Sequence, residues 1–338
     1  MPTRTSGASA PRNSGEASLA IRAFAPGGIG NLGPGIDILG CAVTGPGDVV
    51  VATPTEEAGV RIDDPGHVDL PSDPERHTSG IAAAEVLRRA GDTSTGVALK
   101  VEKRLPLAGG QGGSAASAIA GALAVNAMLG YPLDQHELLM AALAAEERVS
   151  GRHLDNLAPS LLGGILLIRS IEPLSMIRLP VPPALRIVIV HPSMRLRTAD
   201  ARAVLPKAVN RTTALEQASA VAAMVAAFCT GELSLLRGAI DDRVAEPARA
   251  PLLPGFLSAK RAAIEAGALG CSIAGGGPSS FALVDGEGDA NAVLTAMLDA
   301  YAADGMEATG RVSSVDERGA RIETAERGEQ RSSELPPQ

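Results

Sequence analysis

Alternating and periodic hydrophobic positions predict a chain that mixes strands and helices. Apolar and polar residues alternate over residues 97–103, which indicates a half-buried strand. Residues 114–129 are almost wholly apolar and rich in alanine, as is typical of a buried helix. An amphipathic helix is predicted over residues 134–147, with Asp134 as its candidate N-cap. Further strands are predicted at residues 19–25, 48–53 and 162–169.

A proline-rich stretch, residues 173–183, follows these elements and is typical of a domain boundary. The elements after it run strand, three helices, two strands, helix and strand, an order that favours an α+β sandwich over an alternating parallel sheet. We therefore predict an N-terminal domain over residues 19–178 and a C-terminal domain over residues 184–318. A disordered arm at residues 1–18 and a disordered tail at residues 324–338 flank them. The later strands are predicted at residues 185–191, 272–274, 280–284 and 310–315, and the later helices at residues 198–205, 212–230, 258–265 and 289–302.

Composition narrows the class of protein. Of the 338 residues, 45% are hydrophobic and 20% are charged, which fits a soluble globular protein. The net charge of -8 argues against a nucleic-acid partner. Three cysteines are far apart and form no CxxC pair, which indicates a reducing compartment. The sequence shows no signal peptide and no apolar run long enough to cross a bilayer, so we expect a cytoplasmic protein with no membrane partner.

The sharpest chemical signal is a glycine-rich segment, residues 105–117, which reads LPLAGGQGGSAAS between a predicted strand and a predicted helix. Glycines let the backbone turn tightly and bring its N–H groups close to a ligand. The start of a helix adds unpaired N–H groups and the positive end of the helix dipole, which suit a phosphate. The candidate phosphate-binding residues are Pro106, Gly109, Gly110, Gln111, Gly112, Gly113, Ser114 and Ala115.

Two other interpretations of this segment have to be weighed. A Walker A loop requires a Gly-Lys-Ser/Thr ending, which is absent. Gly110, Gly112 and Ala115 match a loose dinucleotide-binding fingerprint, but the helix is followed by another helix rather than by a strand ending in an acidic residue. Taken alone, the segment also fits a turn that merely packs a helix on a strand.

Two further segments complete a pattern. Residues 25–40 read APGGIGNLGPGIDILG, and residues 272–284 read SIAGGGPSSFALV. With the glycine-rich segment between them, they resemble the three ordered motifs of the kinase superfamily named after galactokinase, homoserine kinase, mevalonate kinase and phosphomevalonate kinase. The resemblance implies an α+β fold with an N-terminal ribosomal-protein-S5-like domain and a C-terminal ferredoxin-like α/β sandwich domain. It also implies that the third-motif loop, Gly275, Gly276 and Gly277, packs against the phosphate loop.

Within that superfamily, four segments are similar to the homoserine kinase family: residues 31–40, 150–160, 198–206 and 245–256. The resemblance implies phosphoryl transfer from ATP to the side-chain hydroxyl of L-homoserine with Mg²⁺, in a homodimer. It implies metal ligands at Ser114 and Glu146, although Glu147 is adjacent. Catalytic roles are implied for Asp155, which orients the substrate and is a candidate base, and for Arg202. The implied substrate-binding residues are Asn31, Asp37, His153, Asn156, Thr198, Arg202 and Arg249.

The chemistry of a zwitterionic substrate agrees with this set. A carboxylate requires a guanidinium fork, which Arg202 or Arg249 would supply. An ammonium requires a carboxylate or amide, which Asp37 and Asn31 would supply.

The sequence departs from the family pattern at several positions. Gly113 replaces a serine, Gln111 replaces an apolar residue, Ala274 replaces a serine, and His77 lies near the position of an expected asparagine. Three alternatives therefore remain open: a related kinase acting on another alcohol such as mevalonate, a non-catalytic sensor with the same fold, and a dehydrogenase.

Overall fold

The computed structural model describes residues 20–149, 151–286 and 288–323, and it builds them around two β-sheets. The larger sheet has seven strands in the order β11-β1-β2-β4-β3, with β5 beside β2 and β6 beside β5. Only β3 and β4 pair in parallel among these strands. The strands are β1 (Ile21–Gly30), β2 (Leu39–Thr55), β3 (Gly59–Asp64), β4 (Gly96–Glu102), β5 (Ile165–Ser170), β6 (Ser175–Leu179) and β11 (Arg321–Glu323).

Helices cover the larger sheet and build its core. The central one, α2, is buried along most of its length between β1 and β2 on one side and α1 and α3 on the other. Its Ala-rich sequence suits this position, because small side chains let neighbouring elements approach closely. The helices are α1 (Thr78–Arg89), α2 (Gly113–Met128), α3 (Gln135–Val149) and α4 (Leu157–Leu162).

The smaller sheet is antiparallel, in the order β10-β7-β9-β8. Helices α8 and α9 pack on one face of it around the buried Tyr301, Met297 and Val293. The strands are β7 (Arg186–Pro192), β8 (Gly270–Ile273), β9 (Ser280–Val284) and β10 (Ala308–Ser313). The helices are α5 (Thr198–Ala203), α6 (Arg211–Thr230), α7 (Ala245–Arg249), α8 (Phe256–Glu265) and α9 (Ala290–Ala303).

A shared hydrophobic cluster joins the two sheets. Ile29 and Leu39 of the larger sheet pack with Ile187 and Phe281 of the smaller one and with Phe228 of α6. The chain then returns to the larger sheet, where β11 pairs with β1. The two halves are therefore held against each other by buried apolar side chains, and the loops at their junction are fixed in relative position.

The α+β arrangement and most of the longer elements agree with the sequence analysis, while several elements differ. Strand β2 has 17 residues and continues through the Gly-Pro-Gly sequence at residues 45–47, whereas the predicted strand covers only residues 48–53. Its first part pairs with β5 and its second part with β4, so each part has its own partner. The sequence analysis does not predict strands β3, β6 and β11 or helices α1, α4 and α7. The predicted arm and tail, residues 1–18 and 324–338, lie outside the described residues.

Helix α6 also differs from the expectation, because its length and composition alone would allow it to cross a membrane. The sequence had been expected to contain no such run. In the structure Met224, Ala227 and Phe228 of this helix pack into the cluster between the sheets, while Leu215 on the opposite face is 59% exposed. The helix is therefore anchored to the protein core along one side and leaves an apolar face uncovered.

Candidate active site

The glycine-rich segment forms a loop between β4 and α2. Gly110 and Gly112 have φ of 78° and 66°, in the left-handed region that glycine adopts without strain. Helix α2 begins at Gly113, and no side chain caps it at Gly112. Its first-turn N–H groups and the positive end of its dipole therefore face the adjoining cavity, which favours an anionic ligand there.

The cavity beside this loop has a volume of about 290 Å³ and lies between the two sheets. It brings together most of the residues that the sequence predicted, although they come from seven separate segments. The predicted residues that line it are Asn31, Pro106, Gly109, Gly110, Gly112, Gly113, Ser114, Ala115, Glu146, His153, Asp155, Asn156, Thr198, Arg202, Arg249, Gly275 and Gly276.

The third-motif loop lies directly against the phosphate loop. Ser279 donates its backbone N–H to the Gly109 carbonyl at 3.2 Å, and Gly275 donates to the Gly30 carbonyl at 3.1 Å. A Cβ on Gly110 would lie 2.5 Å from the Ala274 carbonyl oxygen, so only glycine allows this approach. The three motifs of the sequence are thus joined by main-chain contacts at one point in the structure.

Three of the predicted residues do not line the cavity. Gln111 turns its side chain away from it and is 1% exposed, bonded to Ser279 and Arg311. Its predicted place beside the phosphates therefore applies to the backbone of the loop and not to the side chain. Gly277 lies behind Gly110, and Asp37 lies beside the cavity, where its carboxylate contacts Arg202.

A buried carboxylate, that of Asp155, is part of the cavity lining. Asp155 is 2% exposed and accepts the backbone N–H of Asn31 at 3.0 Å through Oδ2. Its Oδ1 lies 3.2 Å from Nδ1 of His153. Burial acts to lower the pKa of His153, but the carboxylates of Asp155 and Glu146 outweigh it and raise that pKa above its usual value. The imidazole and the carboxylate therefore hold each other in place.

Two arginines line the same cavity in different environments. Arg202 bonds to Asp37 through both terminal nitrogens, at 2.6 and 3.3 Å. Burial opposes its charge, but the bonds to Asp37 prevail and raise the pKa of Arg202. Arg249 is 4% exposed and donates to the carbonyls of Ala201 and Gly275, and burial lowers its pKa. A guanidinium stays charged in both settings, so the part of the cavity beside these arginines is suited to a carboxylate.

Oxygen ligands for a cation meet at the start of α2. Ser114 donates its hydroxyl to Oε2 of Glu146 at 3.2 Å, and Glu146 is 5% exposed. Glu147 points the other way, is exposed and pairs with Arg152. The donor set of Ser114 and Glu146, hard oxygens next to the phosphate loop, fits Mg²⁺ with waters and phosphate oxygens as further ligands.

A second cluster of Asp37, His153 and Asp155 also brings ligand atoms within 4.8 Å of one another. The guanidinium of Arg202 already bonds to one of its carboxylates, so a divalent cation would meet like charge there. This cluster suits a substrate ammonium better than a metal.

Sequence reasoning missed three residues beneath the phosphate loop, namely Lys103, Asp48 and Ser117. The Lys103 ammonium pairs with the Asp48 carboxylate, donates to the Gly113 carbonyl at 2.7 Å and contacts Ser117 Oγ at 3.1 Å. The Asp48 side chain is fully buried and that of Lys103 is 6% exposed. Lys103 also lines the cavity, so its charge lies close to the phosphate-binding N–H groups. A lysine directly after the strand that leads into the loop was the available signal.

Comparisons with known proteins agree with this geometry. The family model described as GHMP kinases N terminal domain matches residues 78–164, and the one described as GHMP kinases C terminal matches residues 224–303. The first match contains the phosphate loop, and the second contains the third-motif loop. The fold and the site together define a small-molecule kinase of the GHMP class, which implies ATP as the phosphoryl donor.

Individual relatives are more specific. A homoserine kinase of Chlorobium phaeobacteroides is 42% identical over 294 residues, which cover 83% of this chain and 92% of the relative. A homoserine kinase of Arabidopsis thaliana is 40% identical, over 90% of this chain and 85% of the relative. The crystal structure of a homoserine kinase from Cytophaga hutchinsonii superposes with a TM-score of 0.85 at 37% identity, over 93% of this chain and all of that one. The chain therefore belongs to the homoserine kinase family, and the fold class and family expected from the sequence are confirmed.

Proposed function

We propose that this protein transfers the γ-phosphoryl group of ATP to the side-chain hydroxyl of L-homoserine, giving O-phospho-L-homoserine and ADP. The observation that carries the proposal is the distribution of charge in one cavity. The uncapped start of α2 and the acidic and basic side chains that suit an amino-acid zwitterion line the same cavity. Family membership supports the same acceptor.

The Asp37–Arg202 pair is central to substrate recognition. In the absence of substrate these two side chains neutralise each other. A zwitterion brings one positive and one negative group, so it can replace both partners without leaving either charge unpaired. We propose that Asp37 and Asn31 bind the ammonium, that Arg202 and Arg249 bind the carboxylate, and that His153, Asn156 and Thr198 complete the pocket.

The chemistry requires alignment more than strong acid-base catalysis. Phosphoryl transfer passes through a loose transition state, which positioned donors stabilise by neutralising charge. We propose that main-chain N–H groups of residues 110–114 hold the ATP phosphates. Asp155 orients the acceptor hydroxyl, and its carboxylate, which accepts the N–H of Asn31 and contacts His153, is the candidate base. Arg202 adds positive charge on the same side.

The metal proposal rests on the same geometry. Ser114 and Glu146 would hold Mg²⁺ at the start of α2. When bound, this ion would neutralise charge on the β- and γ-phosphates.

We also propose that the protein is a cytoplasmic homodimer. The uncovered apolar face of α6 supports a partner surface, since Leu215 and neighbouring alanines are exposed there. Cys41, Cys229 and Cys271 are all free thiols, as expected in a reducing compartment. Light scattering on wild type and on Leu215→Glu tests the interface. A wild-type monomer at micromolar concentration would contradict it.

A coupled ADP-release assay tests the activity. Homoserine, mevalonate, shikimate, galactose and a blank without acceptor are compared at saturating MgATP. Of these acceptors, we expect only homoserine to give ADP release above the blank. Turnover with mevalonate would support the related-kinase alternative, and folded protein that turns over no acceptor would support the sensor. Nicotinamide-cofactor binding would support the dehydrogenase.

A further inference from the structure

A buried polar chain behind the phosphate loop is not used by the proposed mechanism. Gln111 of the loop accepts a hydrogen bond from Nη2 of Arg311 at 2.8 Å and donates one to Oγ of Ser279 at 3.1 Å. Ser279 Oγ also lies 3.1 Å from Nδ1 of His191. Gln111 and Ser279 are 1% and 0% exposed. Gln111 belongs to the phosphate loop of the N-terminal half. Arg311 lies on β10, His191 on β7, and Ser279 in the third motif just after its loop, so the chain of hydrogen bonds joins the two halves of the molecule.

Hydrogen-bond chemistry fixes the direction of this chain. A guanidinium has donors only, so the Gln111 oxygen must face Arg311 and its NH₂ group must face Ser279. The Ser279 hydroxyl is then free to donate to His191. Burial and the nearby Arg311 lower the pKa of His191, which keeps Nδ1 available as an acceptor. Burial also lowers the pKa of Arg311, and no carboxylate among the described residues acts on it. Gln111 is therefore its main polar contact on this side.

Gln111 is also held through its main chain. The Gln111 carbonyl accepts the N–H of Gly28 at 3.1 Å, from the first motif. Gln111 is thus held by the first motif, the third-motif loop and β10, while residues 112–115 beside it turn toward the cavity. A glycine-rich loop has a large conformational entropy to lose, so such anchoring determines how much of the binding energy is spent on ordering it.

We propose that the Gln111 carboxamide is a positioning group for nucleotide binding: bonded to Arg311 and Ser279, it holds the phosphate loop in the conformation that presents its N–H groups to ATP. The inference rests on the proposed function, because the ligand of the loop is taken to be ATP. It adds a role for the residue that departs from the apolar family pattern.

The test measures binding of a non-hydrolysable ATP analogue with Mg²⁺ by calorimetry, alongside steady-state kinetics. Gln111→Leu replaces the carboxamide by an apolar side chain of similar size and removes both hydrogen bonds. We expect analogue affinity to fall about tenfold, the effect of about 1.4 kcal/mol. KM for ATP should rise in parallel, while kcat at saturating ATP and KM for homoserine stay within about twofold. Gln111→Glu keeps the bond from Arg311 and loses only the bond to Ser279. Its analogue affinity should therefore fall about threefold, half of the Gln111→Leu effect on a logarithmic scale.

Asn126→Leu is the matched control. Asn126 is also 1% exposed, and its carboxamide also makes two hydrogen bonds, to the backbone of Leu133 at 3.0 Å each. It lies near the far end of α2 and does not line the cavity. This variant should lower the thermal midpoint and leave analogue affinity within about twofold, because the loss is structural only. Equal weakening in Asn126→Leu and Gln111→Leu would overturn the proposal.

A second variant keeps the test decisive if Gln111→Leu does not fold. Ser279→Ala removes the acceptor of the Gln111 NH₂ group, so it should also lower the affinity for the ATP analogue. Unchanged affinity in Ser279→Ala and in Gln111→Glu would overturn the positioning role. Analogue binding is measured without an acceptor, so it does not depend on homoserine. Wild type that binds the analogue but does not phosphorylate homoserine would refute the proposed function alone. Wild type that binds no analogue would refute both.

Discussion

Asp37 and Arg202 form a two-point ion pair across the two halves of the molecule, with Nη2 of Arg202 2.6 Å from Oδ1 of Asp37. Asp37 belongs to the loop after β1, and Arg202 belongs to α5. Both side chains are partly exposed, at 39% and 31%, so water screens the attraction between them. The pair is therefore weak enough to open, and its arginine lines the cavity.

The first prediction follows from this pair. Arg202→Ala should raise KM for homoserine at least about tenfold, because the carboxylate loses a bidentate partner. KM for ATP should change less. The control is Arg197→Ala, which breaks a similar two-point pair with Asp200 on the same helix, but on the exposed surface. The pocket assignment is wrong if steady-state kinetics show the same KM for homoserine in wild type and Arg202→Ala.

The second prediction separates two adjacent glutamates. Glu146→Gln should reduce kcat by about a hundredfold or more and raise the Mg²⁺ concentration needed for half-maximal rate, because a neutral amide is a poor ligand for this ion. Glu147→Gln should stay within about twofold of wild type, since that side chain is exposed and pairs with Arg152. Magnesium titrations of both variants measure the difference. A larger loss in Glu147→Gln would reassign the metal ligand.

The third prediction concerns the contact between the phosphate loop and the third-motif loop. Gly110→Ala combines a positive φ with a Cβ that would lie 2.5 Å from the Ala274 carbonyl oxygen. Gly130→Ala has nearly the same φ, 79°, but its Cβ would meet nothing within 4 Å. The control should lose about 1–2 kcal/mol of unfolding free energy from backbone strain alone.

Gly110→Ala should lose more unfolding free energy than this control, and its affinity for MgATP should fall at least about tenfold, because the loop has to move away from Ala274. Urea unfolding and nucleotide titration provide the two measurements. Equal unfolding free energies and equal nucleotide affinities in the two variants would show that the close approach of the loops has no consequence for binding.

Local chemistry explains which parts of this architecture the sequence predicts. Helix α2 and strand β9 were predicted within one residue, because their apolar patterns are uninterrupted. The capping interaction at the start of α3 was also accessible: Asp134 accepts the N–H of Glu137 at 2.8 Å, as a local side-chain motif allows. By contrast, β2 was predicted too short, because its partners on either side of residues 45–47 lie far away in sequence.

The same limit applies to the site. The glycine loop and the charged residues of the motifs could be named from sequence, since each is part of a contiguous pattern. The buried pair of Lys103 and Asp48 could not, because the register of β2 against β4, which pairs Val49 with Glu102, brings the two side chains together. The contacts of Gln111 with Arg311 likewise depend on how the two sheets are packed, which no local pattern encodes.

The last prediction concerns the pH dependence of stability and His77, the N-cap residue of α1. His77 is 2% exposed and lines the cavity. Its Nδ1 caps the helix by accepting the N–H of Ser79 at 3.2 Å, and Nε2 lies 3.3 Å from the Pro65 carbonyl. Nδ1 can accept only when it carries no proton. Burial, in the presence of Lys103, lowers the pKa of His77 below its usual 6.5.

The sign of the pH effect follows from this shift. As pH falls below 6.5, the unfolded chain takes up a proton at His77 before the folded chain does, so the stability present above 6.5 is lost progressively. His77→Asn keeps a good helix cap without a titrating group, so its unfolding free energy should fall less between pH 7.5 and 5.5 than that of wild type. His77→Ala should share the flatter profile but lose about 1 kcal/mol at every pH. Urea unfolding at several pH values compares the three proteins. If the wild-type and His77→Asn profiles stay parallel, the imidazole does not lose its proton preferentially in the folded state.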